Sequence, residues 1–208
     1  MKTSVKILVV ITLVLSATYT QAQTRFGIKG GLNFSTASFS QNKVTFTPDS
    51  KTGFTLGVIS EIPLATDFYL QPGLLFSTKG LIVSSSLLGL SSDYSMSTNN
   101  IEIPINALYK LHAGSVKVLG FAGPYIGYAV SGKEKYEGVS SDIKFSGDNK
   151  GMNAFDFGLN FGAGVEISNF QITAQYGLGL TNLFSQSSEG TMKNKDFGVS
   201  VDYILGGK

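Results

Sequence analysis

Two alternating runs placed end to end constrain this chain more than any other feature. In the first, Phe155, Phe157, Leu159, Phe161, Ala163, Val165 and Ile167 alternate with Asp156, Gly158, Asn160, Gly162, Gly164 and Glu166. After Ser168-Asn169, Phe170, Ile172, Ala174, Tyr176, Leu178 and Leu180 alternate with Gln171, Thr173, Gln175, Gly177, Gly179 and Thr181. Successive side chains of a strand point to opposite faces, so each run has one apolar face and one polar or glycine face. The two-residue link makes the pair an antiparallel hairpin.

The same period recurs over Arg25 to Ser35, Gly53 to Pro63, Phe68 to Lys79, Asn100 to Lys110, Val116 to Val130 and Lys195 to Leu205. Ile59-Ser60 breaks the pattern in the second of the eight strands. Pro72, which has no N–H to give, predicts a bulge or a gap in the ladder of the third. The fifth carries Leu119, Phe121 and Tyr125 on its otherwise polar face, which predicts a packed aromatic lining. The connections are long, short, long, short, long, short, long, and the polar stretches Thr36 to Thr52, Gly80 to Asn99, Ser131 to Asn153 and Phe184 to Asn194 are expected to be loops. In an up-and-down ring all the short links fall at one rim. Ten or eleven residues at about 3.3 Å each, tilted by about 40°, cover roughly 25 Å of bilayer. The expected fold is therefore all-β: an eight-stranded antiparallel up-and-down transmembrane β-barrel, with short periplasmic turns and long external loops.

Composition agrees. Charged residues are 14% of the chain, against about 25% in soluble domains, yet no mature segment approaches the roughly 20 apolar residues of a membrane helix. Lys2 and Lys6, the apolar run Ile7 to Ala17 and the small residues around Thr20-Gln21-Ala22 form a secretory signal. Residues 1–22 are thus expected to be cleaved and 23–208 to form the barrel. Removing Lys2 and Lys6 from the 16 basic residues leaves 14 against 14 acidic ones, so nucleic-acid binding has no electrostatic footprint. The absence of cysteine excludes disulfides, thiolate metal sites and a cysteine nucleophile.

Alternation alone does not say which face meets lipid, since a soluble lipid-binding barrel alternates too. Three features assign the apolar face outward. Phe26, Phe68, Tyr109, Phe170 and Tyr203 fall near the short-turn rim, and Phe34, Phe54, Phe76, Tyr128, Phe155 and Phe197 near the other, as interfacial girdles do. The polar face is rich in glycine, as a narrow interior requires. Its charges have both signs, with Arg25, Lys29, Lys79 and Lys117 against Glu61, Glu102, Asp156, Glu166, Asp196 and Asp202. Buried charges must pair, so a structural lumen network is expected from Arg25, Lys29, Glu61, Glu102, Asp156, Glu166 and Asp202, with Glu102, Asp156 and Glu166 bridging to Arg25 and Lys29.

Phe26-Gly27-Ile28-Lys29-Gly30-Gly31-Leu32-Asn33 after a signal resembles the first strand of the PorT-like outer-membrane β-barrel family. Gln71-Pro72-Gly73-Leu74-Leu75-Phe76 with Lys79-Gly80, Ile101-Glu102-Ile103-Pro104, Gly123-Pro124-Tyr125, Asp156-Phe157-Gly158 with Gly162-Ala163-Gly164-Val165-Glu166, and Tyr176-Gly177-Leu178-Gly179-Leu180-Thr181-Asn182 continue the likeness across the mature chain. The resemblance implies a small eight-stranded barrel of OmpA/OmpX type in the Gram-negative outer membrane. The founding member is linked to protein secretion and surface-protein maturation. The chain departs from outer-membrane custom in ending Ile204-Leu205-Gly206-Gly207-Lys208 without a terminal aromatic, with Tyr203 as a displaced signal.

Candidate chemistry is sparse. Gly127 to Lys133 spells seven positions of a phosphate-binding loop, but the eighth is Glu134, not Ser or Thr, and no helix follows. His112, the single histidine, lies in a short periplasmic turn, away from the outer leaflet where barrel enzymes work. Glu134, Asp142 and Asp148 fit no calcium-ligand spacing. Leu81-Ile82-Val83 and Leu87-Leu88-Gly89-Leu90 are expected either to extend the third strand above the membrane or to form a partner surface. The expectation is a non-enzymatic, monomeric barrel without cofactor or metal, in contact with outer-membrane lipid and with envelope or secretion proteins through its external loops. An outer-membrane lipid-modifying enzyme and a soluble periplasmic lipid-binding barrel are the alternatives.

Overall fold

The computed structural model describes residues 24–41, 44–87, 90–145, 151–184 and 190–206; the expected signal lies outside them. The described residues form β1 (Arg25–Gln41), β2 (Val44–Phe46), β3 (Asp49–Ala65), β4 (Phe68–Leu87), β5 (Leu90–Ala113), β6 (Val116–Tyr136), β7 (Val139–Asp142), β8 (Phe155–Ile167), β9 (Phe170–Gly179) and β10 (Thr191–Leu205). The eight long strands pair antiparallel with their neighbours, and β10 pairs with β1, so the sheet closes on itself. Two short strands join the ring from the connections, β2 against β1 and β7 against β6.

The three short links are tight turns at one rim. Gly114 (φ 67) and Ser168 (φ 54) adopt the left-handed conformation that two-residue hairpins demand. The turn at Asn169 is also stitched to the last strand: its side-chain amide donates to the Ile204 carbonyl at 2.7 Å, and its carbonyl accepts from the Ile204 amide at 2.8 Å.

The opposite rim differs from expectation. Much of what composition marked as loop is strand. The β4–β5 ladder runs unbroken from Lys79 and Thr98 up to Leu87 and Leu90, and β6 turns back into β7 through Glu137 and Gly138, both at positive φ. Serine and threonine mark turns only where the backbone has no partner; here a neighbouring strand continues and the ladder satisfies their amides. The walls of the barrel therefore project well past the apolar belt.

Phe26, Ile28, Leu32, Phe54, Leu56, Val58, Leu159 and Phe161 are exposed on the outer face, whereas Lys29, Asn33, Glu61, Glu102 and Asn160 are buried within. The apolar face points out. At Ile59-Ser60 the backbone alternation continues and only the residue types change places: Ile59 is buried against Leu75 and Ile204. Around Pro72 the ladder is interrupted on both sides with the register kept. Pairing to β3 passes from Ile59/Gly73 to Ile62/Leu70, and pairing to β5 from Pro72/Ile105 to Leu75/Glu102.

The aromatic residues of β6 and the glycines of β8 explain one another. A Cβ at Gly158 would lie 2.5 Å from the Tyr125 ring, and one at Gly162 would lie 2.4 Å from Phe121. Each glycine is the space that an inward ring occupies, and the interior of a ring of eight strands leaves no alternative place for it.

Candidate functional site

The barrel interior is layered along its axis. Nearest the short-turn rim, Glu61 and Glu166 sit fully enclosed and gather every charge around them. Lys110 Nζ donates to Glu61 at 2.8 Å and to Glu166 at 2.5 Å. Arg25 pairs with Glu61 and reaches Glu166 at 3.5 Å, and Lys117 donates to Glu166 at 2.7 Å. Gln171 donates to Glu61 at 2.7 Å and to Glu166 at 2.8 Å. The Tyr69 ring lies beneath both Arg25 and Lys110, at 5.9 and 4.9 Å from its centroid, a further stabilisation for cations removed from water. Lys29 pairs with Asp202 at 2.9 Å.

A second network lies further from that rim. Lys79 meets Glu102 at 2.7 Å and Asp196 at 3.1 Å, with its Nζ 4.8 Å from the Tyr125 ring centroid. Tyr125 and Asn194 both donate to Asp156, at 3.0 and 2.8 Å. The interior void bounded by Lys29, Asn33, Glu102, Asn106, Asn160 and Asp196 is about 10 Å3, at the lower limit of space for one water.

The predicted lumen residues are thus all inward, but their pairing differs from expectation. Glu166 does bridge to Arg25. Glu102 takes Lys79 instead of Arg25 or Lys29, Lys29 takes Asp202, and Asp156 is held by hydrogen bonds from neutral groups. The reason is height. Arg25 begins β1 opposite Glu61, whereas Glu102 and Asp156 flank Gly127 much further along their strands. Side chains at different levels of a packed interior do not reach one another. Lys110, the most enclosed cation, closes a strand whose alternation is plain only to Asn106 in the sequence. Its parity with Asn100, Glu102 and Asn106 was the available signal.

Above the second network the lining becomes apolar. Ala37, Leu81, Met96, Met152, Leu183 and Met192 are buried together, with Phe39, Val83, Tyr94, Ile143, Phe145 and Phe184 packed on them. A bulge at Val130, where pairing passes from Asn100/Ala129 to Asn99/Ser131, reverses the parity of β6. It turns Gly132 and Glu134 inward, and Ile143 and Phe145 pack against Gly132. The result is a cup of about 330 Å3 in the long-loop rim. Tyr94 donates to Glu134 at 3.1 Å. Burial, and then the nearby Glu134 carboxylate, push the Tyr94 phenol up to about 12. Leu81 is therefore part of β4 and of this cup. The seven residues that imitate a phosphate loop lie in β6, and among the described residues no group of three metal-ligating side chains converges. Asp148 lies outside the described residues. His112, expected in the turn, is the penultimate residue of β5, paired with Lys117 at the short-turn rim and half exposed, with Nδ1 3.2 Å from Asp67.

Comparison by sequence agrees with a closed membrane barrel. The family model described as "Outer membrane protein beta-barrel domain" matches residues 21–185. The chain belongs to this outer-membrane β-barrel family. It resides in the bacterial outer membrane, and its exposed apolar belt faces lipid. Among solved structures it is similar to Ail, the attachment invasion locus protein of Yersinia pestis, at 16% identity, covering 88% of this chain and 99% of that one with a TM-score of 0.45. Neisserial surface protein A is similar at 14% identity, 86% and 96% coverage and a TM-score of 0.48. OprG from Pseudomonas aeruginosa is similar at 13% identity, 89% and 98% coverage and a TM-score of 0.44. No curated protein matches the sequence.

Proposed function

We propose that this family member is a sealed, monomeric, non-enzymatic barrel that acts from its extracellular rim, as a structural element or an accessory to secretion or adhesion. The observation that carries the reading is the contrast between a lumen filled by ion pairs and inward rings, with a void of about 10 Å3 beside Lys29 and Glu102, and walls that continue beyond the apolar belt as hydrogen-bonded hairpins. A closed lumen leaves solute passage without a route, while the projecting sheet offers rigid surface to other envelope proteins. The PorT-like motifs favour the secretion branch of this reading. Residues 1–22 serve in it as the export signal.

Two measurements test it. Reconstituted in planar bilayers, the protein should give no steady conductance; large stable channels would overturn the sealed lumen. A photo-crosslinking residue placed at exposed Val139 in living cells should yield discrete protein adducts, whereas one at lipid-facing Val201 should not. Equal, diffuse labelling from both positions would remove the case for a protein partner at the rim.

A further inference from the structure

The interior inverts its chemistry with height, and the inversion falls where polarity should increase. The membrane-embedded lumen carries the buried ion pairs beside small apolar clusters, while the mouth, which opens to water, is lined by Leu81, Met96, Met152, Met192, Phe39 and Phe184. Protein interiors leave few voids larger than a water, and the void beside Lys29, Asn33 and Glu102 obeys that rule at about 10 Å3. The cup, at about 330 Å3, does not. It is about twice the roughly 150 Å3 that admits benzene and falls in the size range of small-molecule sites. Methionine is the residue that adapts to varied apolar guests. The chain has four, and all but Met1 line this one cup.

The polar groups at its edge select a charge. Glu134 and Asp142 border the cup, with Lys144 the one basic residue among its described lining. A second concavity, of about 530 Å3, shares Tyr94 and Glu134 and is completed by Tyr136, Glu137, Val139 and Ser141. Tyr94 and Tyr136 are direct cross-strand partners. Aromatic faces beside carboxylates hold cations. A bare metal ion would lose its hydration in an apolar cup without gaining ligands, and no ligand cluster is present among the described residues. An organic ammonium with an apolar body satisfies both parts.

We infer that the extracellular cup binds a small amphipathic cation, its apolar body among Leu81, Met96, Met152 and Met192 and its ammonium group at Glu134 beside Tyr94. The site goes beyond the rim function proposed above and does not depend on it, since a conducting barrel or one without protein partners would keep the same cup.

The three methionines also supply the assay. With 13C-methyl methionine in lipid nanodiscs, 2-phenylethylammonium should shift the methyl signals of Met96, Met152 and Met192 saturably. 3-Phenylpropionate, of similar size and opposite charge, should bind at least tenfold more weakly. Glu134→Gln should weaken the ammonium at least fivefold, and Lys144→Glu, at an exposed position, should tighten it severalfold. The absence of any shift would make the cluster a packed core only. Linear, unsaturable shifts equal for both probes would mean partition into the bilayer. Equal affinity for the two probes, or indifference to both variants, would overturn the assignment of the head group.

Discussion

At the short-turn end of the interior, Arg25, Lys110 and Lys117 meet Glu61 and Glu166 in direct ion pairs; at the mouth, Leu81, Met96 and Met192 meet one another around a cavity. The same strands build both ends, so the difference lies in what surrounds them. Inside the bilayer the wall is backed by acyl chains, and a buried charge finds relief only in a charge or a hydrogen-bond donor from another strand. Those partners are distant in sequence: Gln171 and Arg25 both reach Glu61, so the network also ties the ring together. Directional pairs leave little space. Above the bilayer the outer surface is already wet, and the walls cohere through apolar packing. Such packing has no directional demand, and with methionine in it, it tolerates a void.

The ion-paired end is most vulnerable at Glu166. Glu166→Gln leaves Arg25, Lys110 and Lys117 around a single carboxylate, and removal of one partner from a buried pair costs about 3–5 kcal/mol. Urea unfolding in vesicles should show a loss of that size, while removal of the partly exposed Lys117 should cost far less. A small loss for Glu166→Gln would mean that water reaches this end after all. Next comes the outer face. Leu159→Arg places a charge on the lipid side and should cost about 2–4 kcal/mol near mid-membrane. Asn160→Ser, one residue on and inward, should be mild. Heat-modifiable gel mobility after refolding separates the two, and comparable effects would count against the assigned faces. Smaller still is Gly158→Ala, which forces a methyl into the Tyr125 ring and the Leu178 carbonyl. Overpacking of this kind costs about 1–3 kcal/mol, and the loss should shrink in a Tyr125→Leu background.

How far the sequence revealed all this follows from the same physics. Alternation is a local signal, so the faces of Phe155 to Ile167 and Phe170 to Leu180, the short turns and the strand neighbours were legible residue by residue. The inward side of Leu119, Phe121 and Tyr125 was legible too, although the glycines that receive them were not. Height was not legible. Which carboxylate meets which lysine depends on strand stagger, so alternation alone does not pair Glu102 with Lys79 or bring Lys110 to Glu61. The projecting hairpins were hidden because Ser84 and Thr98 carry no strand signature of their own; only their partners make them strand. The cup was hidden further, since it needs those hairpins, the parity reversal at Val130 and the return of Met152 and Leu183 beneath them.

The finest distinction between the two ends is a proton. In the cup, burial and then Glu134 raise the Tyr94 phenol to about 12, against about 10 for an exposed tyrosine. The folded state therefore holds the neutral phenol more tightly than the unfolded chain does. Its contribution is fully present below pH 10 and is lost as pH rises through the range up to about 12. Tyr94 is only partly buried at the open mouth, so screening keeps this effect small, under about 1 kcal/mol. Methyl signals of Met96 and Met192 should report loosening of the cup over that range. Tyr94→Phe should flatten the alkaline dependence of those signals. If the methionines loosened at the same pH in wild type and variant, the hydrogen bond to Glu134 would have no part in closing the mouth, and cohesion there would rest on apolar contact alone.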